Sequence, residues 1–404
     1  MTIRHLPLPT TERRTVSELL STPVTADLVR GAPDLEPRAG GGVTPHRLPP
    51  SARALADARL TMAEGQTSGV RVAFSTSATV VELEALATRL AYVGAPPQPA
   101  GVYDLLVDRR PVASGTVEGG RTVTMDMTTG AATLTEGPTG TVRFEGLAPG
   151  AKEVEIWLPW NEAVEPVALR TDAPVAPPTG SGRRVWLHHG SSLSHGSVSA
   201  SPTRTWVATA AIRAGVDPVN LGFSGSALLD PFTARAMRDT PADVISVKLG
   251  INLVNTDLMR LRAFTPAVHG FLDLIRDGHP STPLLVVSPV LCPIHEETPG
   301  PCVPDMARLA EGRIGFLAAG DPAEVAAGKL TLSVIRDELA RIVDGRAATD
   351  PLIGYLDGRE LYGEADAEEH PLPDAIHPDA ETQRSMGERF ADRVFGPGGL
   401  FAAG

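Results

Sequence analysis

No run of apolar residues in the sequence is long enough to span a membrane. The longest, Leu284 to Leu291, is interrupted by Ser288 and Pro289. The first residues, Met1-Thr2-Ile3-Arg4-His5-Leu6-Pro7, lack the apolar stretch of a secretory signal. Cysteine is scarce: Cys292 and Cys302 are the two in 404 residues. That usage fits a soluble cytoplasmic protein, which is the expectation here. The pair flanks a short proline-rich loop, and spacing alone leaves their pairing open. Basic charge is in deficit, with 36 Lys and Arg against 48 Asp and Glu, a net charge of −12. This excess of acid argues against nucleic acid or an anionic membrane surface as the main partner. Extensive disorder is not expected at 21% charged and 42% hydrophobic residues. There is no internal repeat, no low-complexity tract and no Gly-x-Ser-x-Gly elbow. Gly328-Lys329 lacks the earlier glycine of a phosphate loop.

What is present changes character along the chain. Two domains are expected from the length. Residues 1–21 read as a loosely held arm. From 22 to 170 the apolar period is two: Val81, Leu83 and Ala85 alternate with Glu82 and Glu84, and Val154, Ile156 and Leu158 with Glu153 and Glu155. Tyr103, Leu105 and Val107 do the same, and Thr122–Met127 and Thr141–Phe144 are similar segments. Short strands separated by Gly, Pro and Asp clusters imply a β-sandwich of jelly-roll type. Residues 171–182 have no period and are rich in Pro and Gly, as a linker would be. Residues 183–404 then alternate strands, near 185–189, 217–221, 244–250, 284–288 and 354–358, with helices near 203–214, 230–239, 264–278, 322–346 and 379–395. Such alternation predicts a parallel sheet with helices on both faces, a flavodoxin-like three-layer α/β/α domain. In such sheets the ligand crevice lies beyond the carboxyl ends of the strands.

Four segments that follow predicted strands carry the chemistry. His188-His189-Gly190-Ser191-Ser192-Leu193 places a glycine-framed serine at a strand tip. Asn220-Leu221-Gly222-Phe223-Ser224-Gly225 and Lys248-Leu249-Gly250-Ile251-Asn252 follow the next two strands, and Asp374-Ala375-Ile376-His377 closes the set. Acyl transfer to a serine needs a base, here His377, and a carboxylate that fixes its tautomer, here Asp374. It also needs donors for the oxyanion, here the N–H groups of Ser192 and Gly225 and the side-chain amide of Asn252.

These residues resemble the SGNH (GDSL-type) hydrolases, whose four blocks supply a Ser, a Gly, an Asn and a His. Gly190-Ser191-Ser192-Leu193 matches the nucleophile block, Gly225 the glycine, Asn252 the asparagine, and Asp374 to His377 the Asp-x-x-His block. The resemblance covers about 183–397 and implies a serine esterase or acylhydrolase that passes through an acyl-enzyme on Ser192. Ser191 stands where the family keeps an aspartate, and Leu253 where it keeps a second acidic residue; Asn255 is then the residue that takes over hydrogen bonding. The upstream β-domain is similar in kind to the jelly roll preceding this catalytic domain in some carbohydrate esterases. That mildly favours a short-chain or small polar ester, a sugar ester among them, as the small-molecule substrate. An acyltransferase shares the acyl-enzyme, and a glycan-binding protein with a degenerate esterase domain is the reading from another class. No residue pattern fixes the oligomeric state.

Other residues invite weaker readings. Ser191, His195, Asn255 and His295 are candidates for the substrate pocket. His188 and His189 fall on opposite faces of a strand, a poor geometry for a metal, and neither a metal nor a cofactor is expected. The Pro- and Gly-rich segment from Cys292 to about Asp321 reads as a lid or binding loop, or as a passive excursion. Trp157 and Trp160 read as packing residues before they read as a sugar platform.

Overall fold

The computed structural model describes residues 19–39, 41–94, 98–126, 129–179 and 182–402. Most of the arm expected at 1–21, Met127 of an expected strand, and residues 180–181 of the expected linker lie outside them.

The period-two segments form two sheets around one core. One sheet runs Leu20–Pro23, Ala163–Thr171, Val80–Tyr92, Arg121–Met125, Ala132–Thr135, with Gly140–Glu145 also paired to Val80–Tyr92. The other runs Val175–Ala176, Arg71–Thr76, Lys152–Trp157, Val102–Val107, Arg110–Thr116, with Val29–Arg30 paired to Arg71–Thr76. Val81, Leu83 and Ala85 face inward onto a core shared with Phe74, Tyr103, Leu105, Val154 and Ile156. Glu82 and Glu84 face outward and pair with Arg143 and Arg170. Burying one large apolar side chain is worth about 1.5–3 kcal/mol, against about 0–1 kcal/mol for a surface ion pair. The inward residues therefore set the register, which a one-residue slip would invert. Pairing is antiparallel except between Val80–Tyr92 and Arg121–Met125, which run parallel. The segment read as a linker is partly ordered: Val175–Ala176 adds an edge strand to Arg71–Thr76, since two residues can pair without any apolar period.

The C-terminal region holds five parallel strands, β1 (Val185–Gly190), β2 (Asp217–Gly222), β3 (Val244–Lys248), β4 (Leu284–Val287) and β5 (Ile353–Leu356), in the order β2-β1-β3-β4-β5. Helices α1 (Trp206–Ala214), α2 (Pro231–Asp239), α3 (Leu261–Gly278) and α4 (Leu332–Ala347) lie in the crossovers, and α5 (Ala380–Phe390) follows β5. Apolar faces of α2, α3 and α4 bury one side of the sheet, and those of α1 and α5 the other. This is the flavodoxin-like order, with its crevice at the reversal between β1 and β3. Every residue of β3 and β4 is buried, so these strands read as continuous runs without alternation. The helix expected over 322–346 is broken. A 3₁₀ segment, Pro322–Ala327, ends at Gly328 with φ +91°, and α4 begins after Thr331, whose hydroxyl accepts from Val334 N–H. A left-handed glycine stops one helix and a hydroxyl cap starts the next.

The two regions meet around Arg47, which is 1% exposed. Its guanidinium donates to Gly222 O at 2.7 Å and Asn220 O at 3.0 Å, at the end of β2, and also to Ala63 O. Burial pulls its pKa down to about 9, opposed by the Glu64 carboxylate, so it stays a cation at neutral pH. Trp157 packs in this joint against Leu106 and Ala208, under the Arg71 guanidinium at 4.9 Å. Arg47→Ala should leave several buried carbonyls unpaired and lower stability by at least about 3 kcal/mol. Arg47→Lys should recover little of it, because one ammonium cannot reproduce the fork. Urea unfolding of the three proteins checks this, and near-equal midpoints would show that Arg47 does not hold the joint.

Candidate active site

The site begins where β1 ends. Ser191 is extended, and Ser192–His195 makes one helical turn closed by Gly196 at φ +117°. The turn sits against Gly222 of β2, where an added Cβ would come within 2.4 Å of His195 N. Ser192 Oγ lies 2.9 Å from His377 Nε2, and His377 Nδ1 lies 2.7 Å from Asp374 Oδ2. The other Asp374 oxygen accepts the N–H groups of Ile376 at 2.9 Å and His377 at 2.7 Å. Ala375 takes φ +74° between them, so a tight turn brings ring and carboxylate together. Partial burial works to raise the Asp374 pKa, but the His377 contact and the two backbone donors outweigh it, leaving Asp374 below the usual carboxylate range. An ionised Asp374 keeps the proton on Nδ1 and turns the Nε2 lone pair to the Ser192 hydroxyl.

The turn bearing Asp374 is held from outside by the segment after Cys292. That segment forms a hairpin, Cys302–Pro304 against Phe316–Ala318. Phe316 N–H donates to Asp374 O at 3.1 Å, and Arg308 Nη1 donates to Pro373 O at 3.0 Å. The described conformation is a buttress, where the sequence suggested a lid or a passive loop. Both cysteines are free. Burial pushes the Cys292 thiol up to about 12 and the Cys302 thiol to about 11, with acidic neighbours adding to it, and Cys292 Sγ–H donates to Ala375 O at 3.4 Å.

Gly225 lies on the turn after β2 and is exposed, and a Cβ there would meet no protein atom within 4 Å. Packing therefore does not demand glycine at this position. Asn252 follows β3 on the short helix Ile251–Asn255. Its Oδ1 accepts Ala227 N–H at 3.2 Å, which leaves Nδ2 to donate elsewhere. A small, partly open cavity adjoins Ser192 and His377; Ser191, Lys248, Ile251, Val290 and Ile376 line it. Lys248 is the residue the sequence reading missed. It ends a strand that is otherwise apolar apart from Ser246, and the only signal was a lysine inside a central strand.

Of the four pocket candidates, Ser191 alone lines this cavity. His195, three residues along the helical turn, points into the domain joint: Nε2–H donates to Trp160 O at 2.9 Å, and Nδ1 receives Arg47 at 3.3 Å. Trp160 caps the same joint, its Nε1–H donating to Ser199 O at 3.2 Å. His295 is turned into its own loop, with Nδ1–H donating to Thr298 O at 3.0 Å. Asn255 is placed at the far end of its helix, its Oδ1 buried without a partner among the described residues. His188 and His189 go to opposite faces. His188 bridges Ser246 Oγ at 2.7 Å and Ser194 Oγ at 2.8 Å, while His189 stacks on Phe271 with Nδ1–H donating to Leu221 O at 2.8 Å.

Comparison with known proteins places this geometry. Residues 184–292 match the model of the GDSL-like lipase/acylhydrolase family. That segment is a GDSL-like, SGNH-type hydrolase domain. The whole chain is similar to a salicylyl-acyltransferase from a tetracycline biosynthetic pathway, at 27% identity and a TM-score of 0.75 over 93% of this chain and 96% of that one. Two family two carbohydrate esterases share the fold. That from Clostridium thermocellum is 14% identical, with a TM-score of 0.54 over 81% of this chain and 92% of that one. That from Cellvibrio japonicus is 11% identical, with a TM-score of 0.55 over 93% and 97%. No curated protein matches the chain. Among the described residues, no helix is long and apolar enough to cross a membrane.

Three buried histidines around the nucleophile's turn make stability depend on pH. Burial lowers His188 well below the ordinary value of 6.5, His189 to about 4 and His195 to about 3; the neighbouring His189 and Lys248 add to it for His188, and Arg47 for His195. The folded protein then refuses protons that the unfolded chain binds. Their contribution is fully present above pH 6.5, the value cited for the free side chain, and is lost as pH falls toward the lowered values. Three such groups give a limiting slope of about 4 kcal/mol per pH unit. Unfolding free energy measured from pH 7.5 to 5 should fall, and a flat profile would contradict the neutral assignment.

Proposed function

We propose that this chain is a serine acylhydrolase acting on a small carboxylic ester, with Ser192, His377 and Asp374 as its catalytic triad. The supporting observation is the unbroken run of contacts, Asp374 to His377 at 2.7 Å and His377 to Ser192 at 2.9 Å, at the crevice of an SGNH-type sheet. Ser192 Oγ attacks the ester carbonyl while its proton passes to His377 Nε2. The N–H groups of Ser192 and Gly225 and Asn252 Nδ2 receive the oxyanion. Collapse breaks the ester C–O bond, and the His377 proton goes to the departing alkoxide. Water then attacks the acyl-enzyme, giving its proton to His377, which returns it to Ser192 Oγ as the acid leaves. We take residues 22–170 as a jelly-roll-type domain and 183–404 as the catalytic domain, in a cytoplasmic protein.

The likeness to a salicylyl-acyltransferase favours a second reading, in which an alcohol takes the place of water in the last step. Product partition between water and an added alcohol separates the two.

On a short-chain nitrophenyl ester, Ser192→Ala should lose at least about 10⁴-fold in kcat. Asp374→Asn should lose about 10⁴-fold, because it stabilises the wrong tautomer. Asn252→Ala should lose about 10²–10³-fold, as loss of one oxyanion donor does. Equal turnover by wild type and Ser192→Ala would overturn the assignment, as would labelling by a serine-directed phosphonate at another residue.

A further inference from the structure

The cavity beside Ser192 contains a cation that the ester-cleaving step leaves unused. Lys248 is 3% exposed overall, yet it lines the cavity with Ser192 and His377. Among the described residues its ammonium has neither an ion pair nor a hydrogen bond, although it is not sealed from the cavity. The nearby charges are committed elsewhere. Glu296 holds Arg336 through Nη2 at 2.8 Å, and Asp374 holds His377. The Cys292 thiol is neutral, and no carboxylate lines the cavity. A buried ammonium without a partner is costly, and folds keep one where something arrives to pair with it. Ser191 adds a second unused donor. It lines the same cavity, and its buried Oγ has no partner among the described residues.

Building on the acylhydrolase reading, we propose that Lys248, with the Ser191 hydroxyl, receives a carboxylate carried on the acyl group, so that the preferred substrates are half-esters of short dicarboxylic acids. A carboxylate suits this place better than a phenol, because it is fully charged at neutral pH. Burial draws the Lys248 pKa down to about 8, with Arg336 adding to it and Cys292 opposing. A bound carboxylate would lift it back, so the site binds its anion most tightly where the ammonium is still protonated. Ser192 and Lys248 line one small cavity, so the carbonyl and the carboxylate must be separated by few carbons.

The test compares 4-nitrophenyl hemisuccinate with 4-nitrophenyl butyrate, two acyl groups of equal carbon count. The ratio of their kcat/KM values is taken within each variant, so a loss of folded protein cancels. Wild type should favour the hemisuccinate at least tenfold. Lys248→Met should collapse that ratio at least tenfold, and Ser191→Asp, which gives the ammonium an internal partner, should lower it too. A wild-type ratio near one, or a preference that survives Lys248→Met, overturns the proposal. Binding of free succinate against butyrate, followed by calorimetry on wild type and Lys248→Met, is independent of turnover. Succinate binding that depends on Lys248 without any acylation of Ser192 would uphold the anion site while the acylhydrolase reading fails. Equal binding of both acids by both proteins would overturn the anion site itself.

Discussion

The helical turn Ser192–His195 is pinned on its underside by groups drawn from both halves of the chain. Asn220 Nδ2 donates to Ser194 O at 2.8 Å and to Ser68 Oγ at 3.0 Å, and Ser68 in turn donates to His195 O. His195 reaches Trp160 O at 2.9 Å. Arg47 holds Gly222 O, the strand end against which the turn rests. Below, His188 ties Ser194 Oγ to Ser246. A nucleophile displaced by 1 Å can lose about 10²-fold in rate, so a turn fixed at this many points suits the role proposed for Ser192. The loops of the N-terminal region thus supply Arg47, Ser68 and the Trp160 carbonyl to the turn that carries Ser192. Without them those buried carbonyls and amides would have to find water.

The opposite wall depends on a different device. Asp374 and His377 lie on a short turn with one residue at positive φ, and such a turn is easily deformed. The hairpin after Cys292 fastens it through Phe316 N–H and Arg308. Asp374 and His377 therefore rest on an insertion, while Ser192 rests on the sheet and the joint. The 2.9 Å contact between Ser192 and His377 closes the gap between two separately anchored bodies.

How much of this could be read from the sequence follows from what each residue's neighbours are. Ser192, Asp374 and His377 follow predicted strands in chain order, and parallel strands deliver such ends to one edge, so their meeting is legible from periodicity and motif alone. The central place of β3 and β4 also follows from their runs, which are apolar apart from Ser246 and Lys248. The break at Gly328 was missed because the helix's apolar stripe, Leu332, Ile335, Leu339 and Ile342, lies wholly beyond it and does not mark where the helix begins. His195 was misplaced because a histidine next to a nucleophile looks like a pocket residue, while its direction is set by the helical turn and by Arg47, 148 residues earlier. The buttress was not legible either, since its work is done by a backbone N–H and a long arginine reaching a distant carbonyl. Lys248 was missed for the opposite reason: a lysine closing a strand ordinarily marks the strand's exposed end, and here the strand ends inside the molecule.

That last residue bears on what a net charge can say about a site. The chain carries −12 overall, which would seem to set it against anionic substrates. Exposed charges act over a Debye length of about 8 Å at physiological salt, so most of the surface acid is screened at the mouth of a cavity. Inside, the effective dielectric is lower and screening weaker, and the local balance has the other sign. Ser191 stands in the cavity where the resembled family keeps an aspartate, while Asp374 is spent on His377 and Glu296 on Arg336. Without an unpaired acid beside it, Lys248 leaves the cleft of an acidic protein cationic. The charge that selects a ligand is the one left unpaired in the cavity beside Ser192, and the sum over the surface neither supplies it nor cancels it.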